Sequence, residues 1–155
     1  MKKVMFISST GGHLSEMLQL EPLFKYYDVS IVTEKTKSNL YLKDKYKNVN
    51  YLVYGTKSHL FPYLFKFTYN CFKSIYIFLK IKPDVVVTTG THTAVCMCYI
   101  AHFFKKKVIF IETLANRTSR TKSGKMVYPI ADYFIVQWKS MLKLYPKAIY
   151  GGWIY

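Results

Sequence analysis

The chain has 155 residues, enough for one domain with a real hydrophobic core. It is 51% apolar and 20% charged, which excludes an intrinsically disordered chain. Lysine and arginine number 23 against 8 acidic residues, a net charge of +15 that calls for a polyanion or an anionic surface, while an odd count of 3 cysteines excludes a disulfide framework and points to a reducing compartment.

The first predicted element is a buried strand at 4–8; Lys2 and Lys3 precede it, but its apolar run is too short for a secretory signal. Strand-length runs follow at 29–33, 49–54, 84–89, 107–112 and 133–137. Most are rich in Val, Ile, Tyr or Phe and near-continuous rather than alternating, as strands buried on both faces of a parallel sheet are. Helix-length segments at 14–27, 35–46, 60–80, 93–104 and 138–145 separate them. The alternation predicts a single α/β domain over 1–155, a Rossmann-like parallel sheet with helices on both faces. No internal repeat or linker interrupts it.

Ligands of such sheets bind at the carboxyl ends of the strands, where the loops here read SSTGGH, TGTHT and ETLANRTSRTKSG. In the first, Ser9, Thr10, Gly11 and Gly12 lead into a helix. The glycines permit a tight turn, and a helix N-terminus offers N–H groups to an anion. The pattern is neither a P-loop nor G-x-G-x-x-G, so a phosphate loop and a glycine-assisted helix start both fit. His13 reads as a general base, an anion contact or a capping group; Glu16, one turn on, orients it or complements the helix dipole. Gly90, Thr91 and His92 repeat the arrangement after the fourth strand. His92/Cys96 and Cys98/His102 have the spacing of metal-ligand pairs, but no third and fourth ligand accompanies either, so packing is expected and no metal. The third loop holds Arg117 and Arg120, the only arginines, which suit phosphate recognition or a solvated basic loop.

Residues 60–81 read LFPYLFKFTYNCFKSIYIFLKI. Pro62 suits a first helical turn. Lys66, Lys73 and Lys80 recur every seven residues with Asn70 among them, predicting one polar stripe. Phe61, Tyr63, Leu64, Phe65, Phe67, Phe72, Tyr76 and Phe78 form the apolar remainder. As a helix the segment is about 33 Å long. A cationic stripe on such a helix suits one lying in the plane of an anionic membrane surface. The other reading is a core helix with snorkelling lysines. Its apolar arc is too wide for one small sheet to cover, which favours a membrane or partner surface.

Several stretches together resemble a known family: SSTGGHLSEML at the start, VTEK, KPDVVVTTG, and the run from IETLANRTSRTKSG through YPIADYFIVQW to YPKAIYGG. They are similar to the bacterial capsule and exopolysaccharide glycosyltransferase enhancer subunits, and to the membrane-anchoring subunit of the eukaryotic two-subunit N-acetylglucosaminyltransferase that extends dolichol-linked GlcNAc. The resemblance covers nearly the whole chain. It implies the N-terminal, acceptor-side half of a split GT-B glycosyltransferase, peripheral at the cytoplasmic face of the membrane. It implies no cofactor in this chain: a second subunit, similar to the C-terminal half, would hold the UDP-sugar. The acceptor would be a polyprenyl-diphosphate-linked sugar and the donated sugar a hexose. By the same resemblance Gly11, Gly12 and His13 lie beside the acceptor diphosphate, and Glu112, Asn116 and Arg117 fall on the cleft-side loop. His13 becomes the leading candidate for the base on the acceptor hydroxyl. Two departures are that the N-terminal anchor of the eukaryotic relatives and the second Rossmann half are not in this sequence, so the chain alone is expected to be inactive or very weak.

The competing reading is a non-catalytic membrane adaptor or activator of a partner glycosyltransferase. Nucleic-acid binding is not expected, because no RNP, KH or helix-turn-helix signature accompanies the charge and the lysines are spread along the chain.

Overall fold

A computed structural model describes residues 1–55 and 60–154, with 60–63 described as helix backbone. Seven parallel strands form one sheet: β1 Lys3–Ser8, β2 Asp28–Glu34, β3 Val49–Leu52, β4 Val85–Thr88, β5 Lys107–Ile111, β6 Tyr133–Val136 and β7 Ile149–Tyr150. Their order is β3-β2-β1-β4-β5-β6-β7. The doubly wound sheet expected from the apolar runs is therefore present, and its direction of winding reverses between β1 and β4. β1 is an interior strand, third in that order, with Val4–Ile7 paired with Val85–Thr88 on one side and Lys3–Ser8 with Asp28–Thr33 on the other.

Alternation along β1 divides the core in two. Met5 and Ile7 point to the face covered by α3 Leu60–Ile81, α4 His92–Phe103 and α5 Lys122–Val127, where Phe78, Met97, Phe110, Phe134 and Tyr145 pack. Val4 and Phe6 point to the face of α1 Gly12–Leu18 and α2 Leu42–Lys45, against Leu14, Met17 and Leu42. Both faces of the central strands are thus dry, which is why their sequences run apolar without alternation.

Three expected helices are shorter than their patterns. The segment at 14–27 divides into α1 and a 3-10 turn at Glu21–Tyr26, with Pro22 in its first turn. Proline lacks the N–H that a continuing helix would need there. The segment at 35–46 is a 3-10 turn, Lys37–Asn39, followed by α2, and that at 138–145 is a 3-10 turn, Lys139–Lys143. Conversely, the long third loop contains α5, capped by Thr121 Oγ1 accepting from Gly124 N at 2.9 Å. β7 was also unforeseen, a two-residue edge strand.

α3 and α4 each end on a lysine in the left-handed region, Lys82 at φ 52° and Lys105 at φ 54°. On α3 the inward side carries Ser74, Ile77 and Phe78, all buried. Asn70 is inward too, and not part of a surface stripe: its amide donates to Val53 O and accepts from Val53 N, each at 2.8 Å, closing the end of β3. Phe78 is likewise core, stacked on Phe104 at 5.3 Å between ring centroids, which removes it from any membrane-facing set. Phe67 is half-buried and borders the cleft described below. The outward side carries Leu64, Phe65, Tyr69, Phe72, Tyr76 and Leu79, with Phe65 78% exposed and Phe103 of α4 79% exposed. Lys66 and Lys80 are exposed along its flank and Lys73 is half-buried, its Nζ 5.7 Å from the Tyr69 ring. Phe61 and Tyr63 lie outside the described side chains. No helix among the described residues is long and apolar enough to cross a membrane.

Candidate functional site

The loops after β1, β4 and β5 converge at the point where the sheet reverses its winding. Gly11 turns the first loop at φ +79°, a conformation that favours glycine, and a Cβ at Gly11 or Gly12 would meet no atom within 4 Å. Ser9 is buried, its hydroxyl donating to Thr10 O at 3.3 Å, and the Thr10 hydroxyl lies 3.3 Å from that of Thr36.

His13 is joined to the β4 loop by a reciprocal pair. Its Nδ1 lies 2.7 Å from Thr89 O, and Thr89 Oγ1 donates to His13 O at 2.8 Å. A carbonyl only accepts, so the hydrogen sits on Nδ1 and the neutral ring keeps its lone pair on Nε2. Gly90 takes φ +102°, a conformation that favours glycine, and sits against the ring, where a Cβ would stand in ordinary contact 3.4 Å from His13 Cε1. Glu16 Oε2 lies 3.9 Å from His13 Nδ1 and has no hydrogen-bond partner among the described residues, while Oε1 accepts from Thr113 Oγ1 at 2.7 Å and Leu114 N at 3.2 Å. Glu16 therefore ties α1 to the third loop.

A cleft of about 430 Å³ opens beside these groups, lined by His13, Phe67, Thr91, His92, Thr121, Lys122, Ser123 and Met126 among others. Thr91 Oγ1 is buried at its wall without a hydrogen-bond partner among the described residues. His13, Thr91 and His92 thus line one cleft.

The third loop is divided in its roles. Glu112 is not a solvent-facing contact, because it is 2% exposed. Thr121 Oγ1 donates to it at 2.9 Å, Tyr145 OH at 3.0 Å and Thr113 N at 3.3 Å. Burial pushes its carboxyl above the ordinary range, partly offset by the Thr121 and Tyr145 hydrogen bonds. Asn116 bonds within the loop, Nδ2 to Ser119 O at 2.9 Å. Arg117 stacks over the Trp138 ring at 4.1 Å, and Trp138 Nε1 anchors the loop through Leu114 O at 2.7 Å. Neither Asn116 nor Arg117 lines the cleft, although Arg117 is exposed nearby in the same loop.

Sequence reasoning missed Thr89, which holds His13 from the β4 loop, then Lys122, Ser123 and Met126, which reach the cleft on the unforeseen α5, and the buried Glu34 behind it. The Thr121-to-Gly124 spacing, a hydroxyl cap three residues before a free N–H, was the legible signal for α5. No group of three or more metal-ligating side chains occurs among the described residues. Cys98 is buried and its thiol is pushed up to about 12 by burial, as is that of Cys96, which lies against Cys71 of α3.

The family described as oligosaccharide biosynthesis protein Alg14 like matches residues 55–154. The UDP-N-acetylglucosamine transferase subunit ALG14 of Mus musculus is 33% identical over 90 residues, 54% of this chain and 42% of that protein. Its Candida albicans counterpart is 29% identical over 165 residues, 92% of this chain and 74% of that protein. Among solved structures, Acinetobacter baumannii MurG superposes with a TM-score of 0.72 at 19% identity, covering 90% of this chain and 43% of MurG. A UDP-GlcNAc 2-epimerase from Neisseria meningitidis bound to UDP-GlcNAc gives 0.70 at 14% identity, covering 96% and 44%. The chain spans less than half of the mouse subunit and of both solved structures. These structural likenesses establish the fold: a Rossmann-like parallel sheet of the kind that forms the N-terminal half of a GT-B enzyme.

Proposed function

Because the chain belongs to the family of Alg14-like oligosaccharide biosynthesis proteins, we propose that it is the acceptor-side subunit of a two-chain GT-B glycosyltransferase. It takes a polyprenyl-diphosphate-linked sugar at the carboxyl ends of its strands. A partner subunit supplies the UDP-sugar and the second half of the cleft. The relatives are named UDP-N-acetylglucosamine transferase subunits, so N-acetylglucosamine is the donor sugar proposed first. A hexose for a capsular or exopolysaccharide, suggested by the sequence resemblance, is the second donor to test.

The observation that carries this reading is the lock between His13 and Thr89. It fixes the imidazole tautomer at the sheet's switch point, with Nε2 in the form that accepts a proton. In the transfer, Nε2 removes the proton from the acceptor hydroxyl as it attacks the anomeric carbon, and the UDP leaves on the partner's side. Ser9 to Gly12, Gly90 and Thr91 surround the acceptor diphosphate, and Arg117 supplies a planar donor at the cleft's outer loop. Glu16 and Glu112 hold the third loop in place. The outward side of α3, aromatic with flanking lysines, rests on the anionic membrane surface.

The test is transfer of radiolabelled sugar from UDP-GlcNAc, and separately from UDP-hexoses, to membrane lipid acceptors. This chain, its candidate partner and the two together are compared. Transfer that arises, or rises strongly, only with both chains is expected. A partner fully active alone would overturn the shared site and leave an adaptor.

A further inference from the structure

The cleft holds a second histidine whose surroundings differ from those of His13. Glu34 ends β2, and it is 2% exposed. Its main chain is pinned on both sides: Asn39 Nδ2 donates to Glu34 O at 2.7 Å, and Lys35 N to Leu52 O at 2.8 Å. Its Oε1 accepts from Thr93 Oγ1 at 2.6 Å and lies 3.9 Å from His92 Nε2. A buried carboxylate needs neighbours that replace its lost hydration, and one neutral hydroxyl replaces only part of it. Protonation of His92, whose Nε2 lies 3.9 Å away, would supply the rest. Each ring lies 3.9 Å from a carboxylate oxygen, but His13 Nδ1 is also bonded to the Thr89 carbonyl at 2.7 Å, whereas His92 Nε2 is the ring atom nearest the buried Glu34, a charge that favours an imidazolium.

We propose that Glu34 is a positioning residue that holds His92 as a cationic contact for the diphosphate of the lipid-linked acceptor. This deepens the acceptor-side reading above and rests on it: the two histidines divide the work, His13 moving the proton and His92 meeting the charge. The N-terminal turn of α4, where His92 and Thr93 sit, is then held by Glu34 from behind while the ring of His92 lines the cleft. Among the described residues, the other titratable or charged groups around His92 include Lys66 and Cys71 of α3, Cys96 of its own helix, His13 of α1 and Lys122 on α5. The two lysines oppose a second positive charge, and Glu34 is the carboxylate among the described residues within 4.0 Å of the ring.

The experiment follows the imidazole ¹³Cε1 signals of His92 and His13 in the folded chain, titrated with pH with and without inorganic pyrophosphate. The His92 midpoint is expected above the ordinary value of about 6.5 and to fall by about one unit in Glu34→Gln, with that of His13 unmoved. Pyrophosphate should shift the His92 signal, and its affinity should drop roughly tenfold in His92→Gln and severalfold in Glu34→Gln, with partial recovery in Glu34→Asp. A His92 midpoint indifferent to Glu34→Gln, or pyrophosphate binding indifferent to His92→Gln, overturns the proposal. If Glu34→Gln does not fold, the wild-type titration decides, since a His92 midpoint at or below the ordinary value also overturns it. Neither readout needs the partner or a sugar donor, so failure of the two-chain transfer assay would be distinguishable from failure here.

Discussion

Thr89 ties the loop after β4 to His13 with two hydrogen bonds, and a side chain that could serve several purposes is left with one neutral tautomer. Replacing His13 by Gln keeps a polar group of similar reach but no base; in the assembled enzyme kcat should fall by about 10²–10⁴ with a much smaller change in KM. Glu112 shows the opposite use of a charged group. Its carboxyl titrates higher in the folded chain than in the unfolded one, so between those two values the folded state binds more protons and stability declines as pH rises. Glu112→Gln should remove that decline, seen as a difference in urea midpoints between the two proteins across the acid range. Gly124→Ala places a Cβ 2.5 Å from Glu112 Oε2 and 2.6 Å from Tyr145 OH, and should cost about 1–3 kcal/mol by the same measurement. Cys98, with its thiol pushed up to about 12 and fully buried, should resist iodoacetamide until the chain is unfolded.

Among the elements, the strands were legible because burial on both faces leaves one kind of sequence. The helices were less so. The stretch 14–27 has the apolar spacing of one helix, but Pro22 divides it, and α5 was hidden in a loop whose residues are chosen by Glu112 and the cleft rather than by amphipathic spacing. The site was legible where its residues are neighbours in sequence, as in Gly11, Gly12 and His13. Glu34 was not, because its meaning comes from Thr93, 59 residues away. In α3 the seven-residue lysine spacing was readable, yet Asn70 and Phe78 turned inward, since only contact with β3 and α4 decides which edge of so apolar a helix is core. Asn70→Leu leaves both Val53 groups unpaired and should destabilise the chain by about 1–3 kcal/mol in urea. Lys105→Gly relieves a left-handed backbone at the end of α4 and should stabilise it by about 0.5–1 kcal/mol.

For the whole molecule, the charge of +15 and the exposed aromatic flank of α3 and α4 both suit the anionic membrane surface proposed above. Replacing Phe65, Phe72 and Tyr76 together by Ser should reduce co-sedimentation with anionic vesicles by at least tenfold at constant salt, without a change in circular dichroism. Because α3 is the crossover between parallel strands, its long axis runs alongside them. A chain resting on that helix has its sheet reclining, strands level with the bilayer, so the mouth between β1 and β4 faces sideways instead of toward the water. A tethered acceptor would then reach the site by lateral diffusion in the leaflet, a search in two dimensions, with only its headgroup turned into the protein.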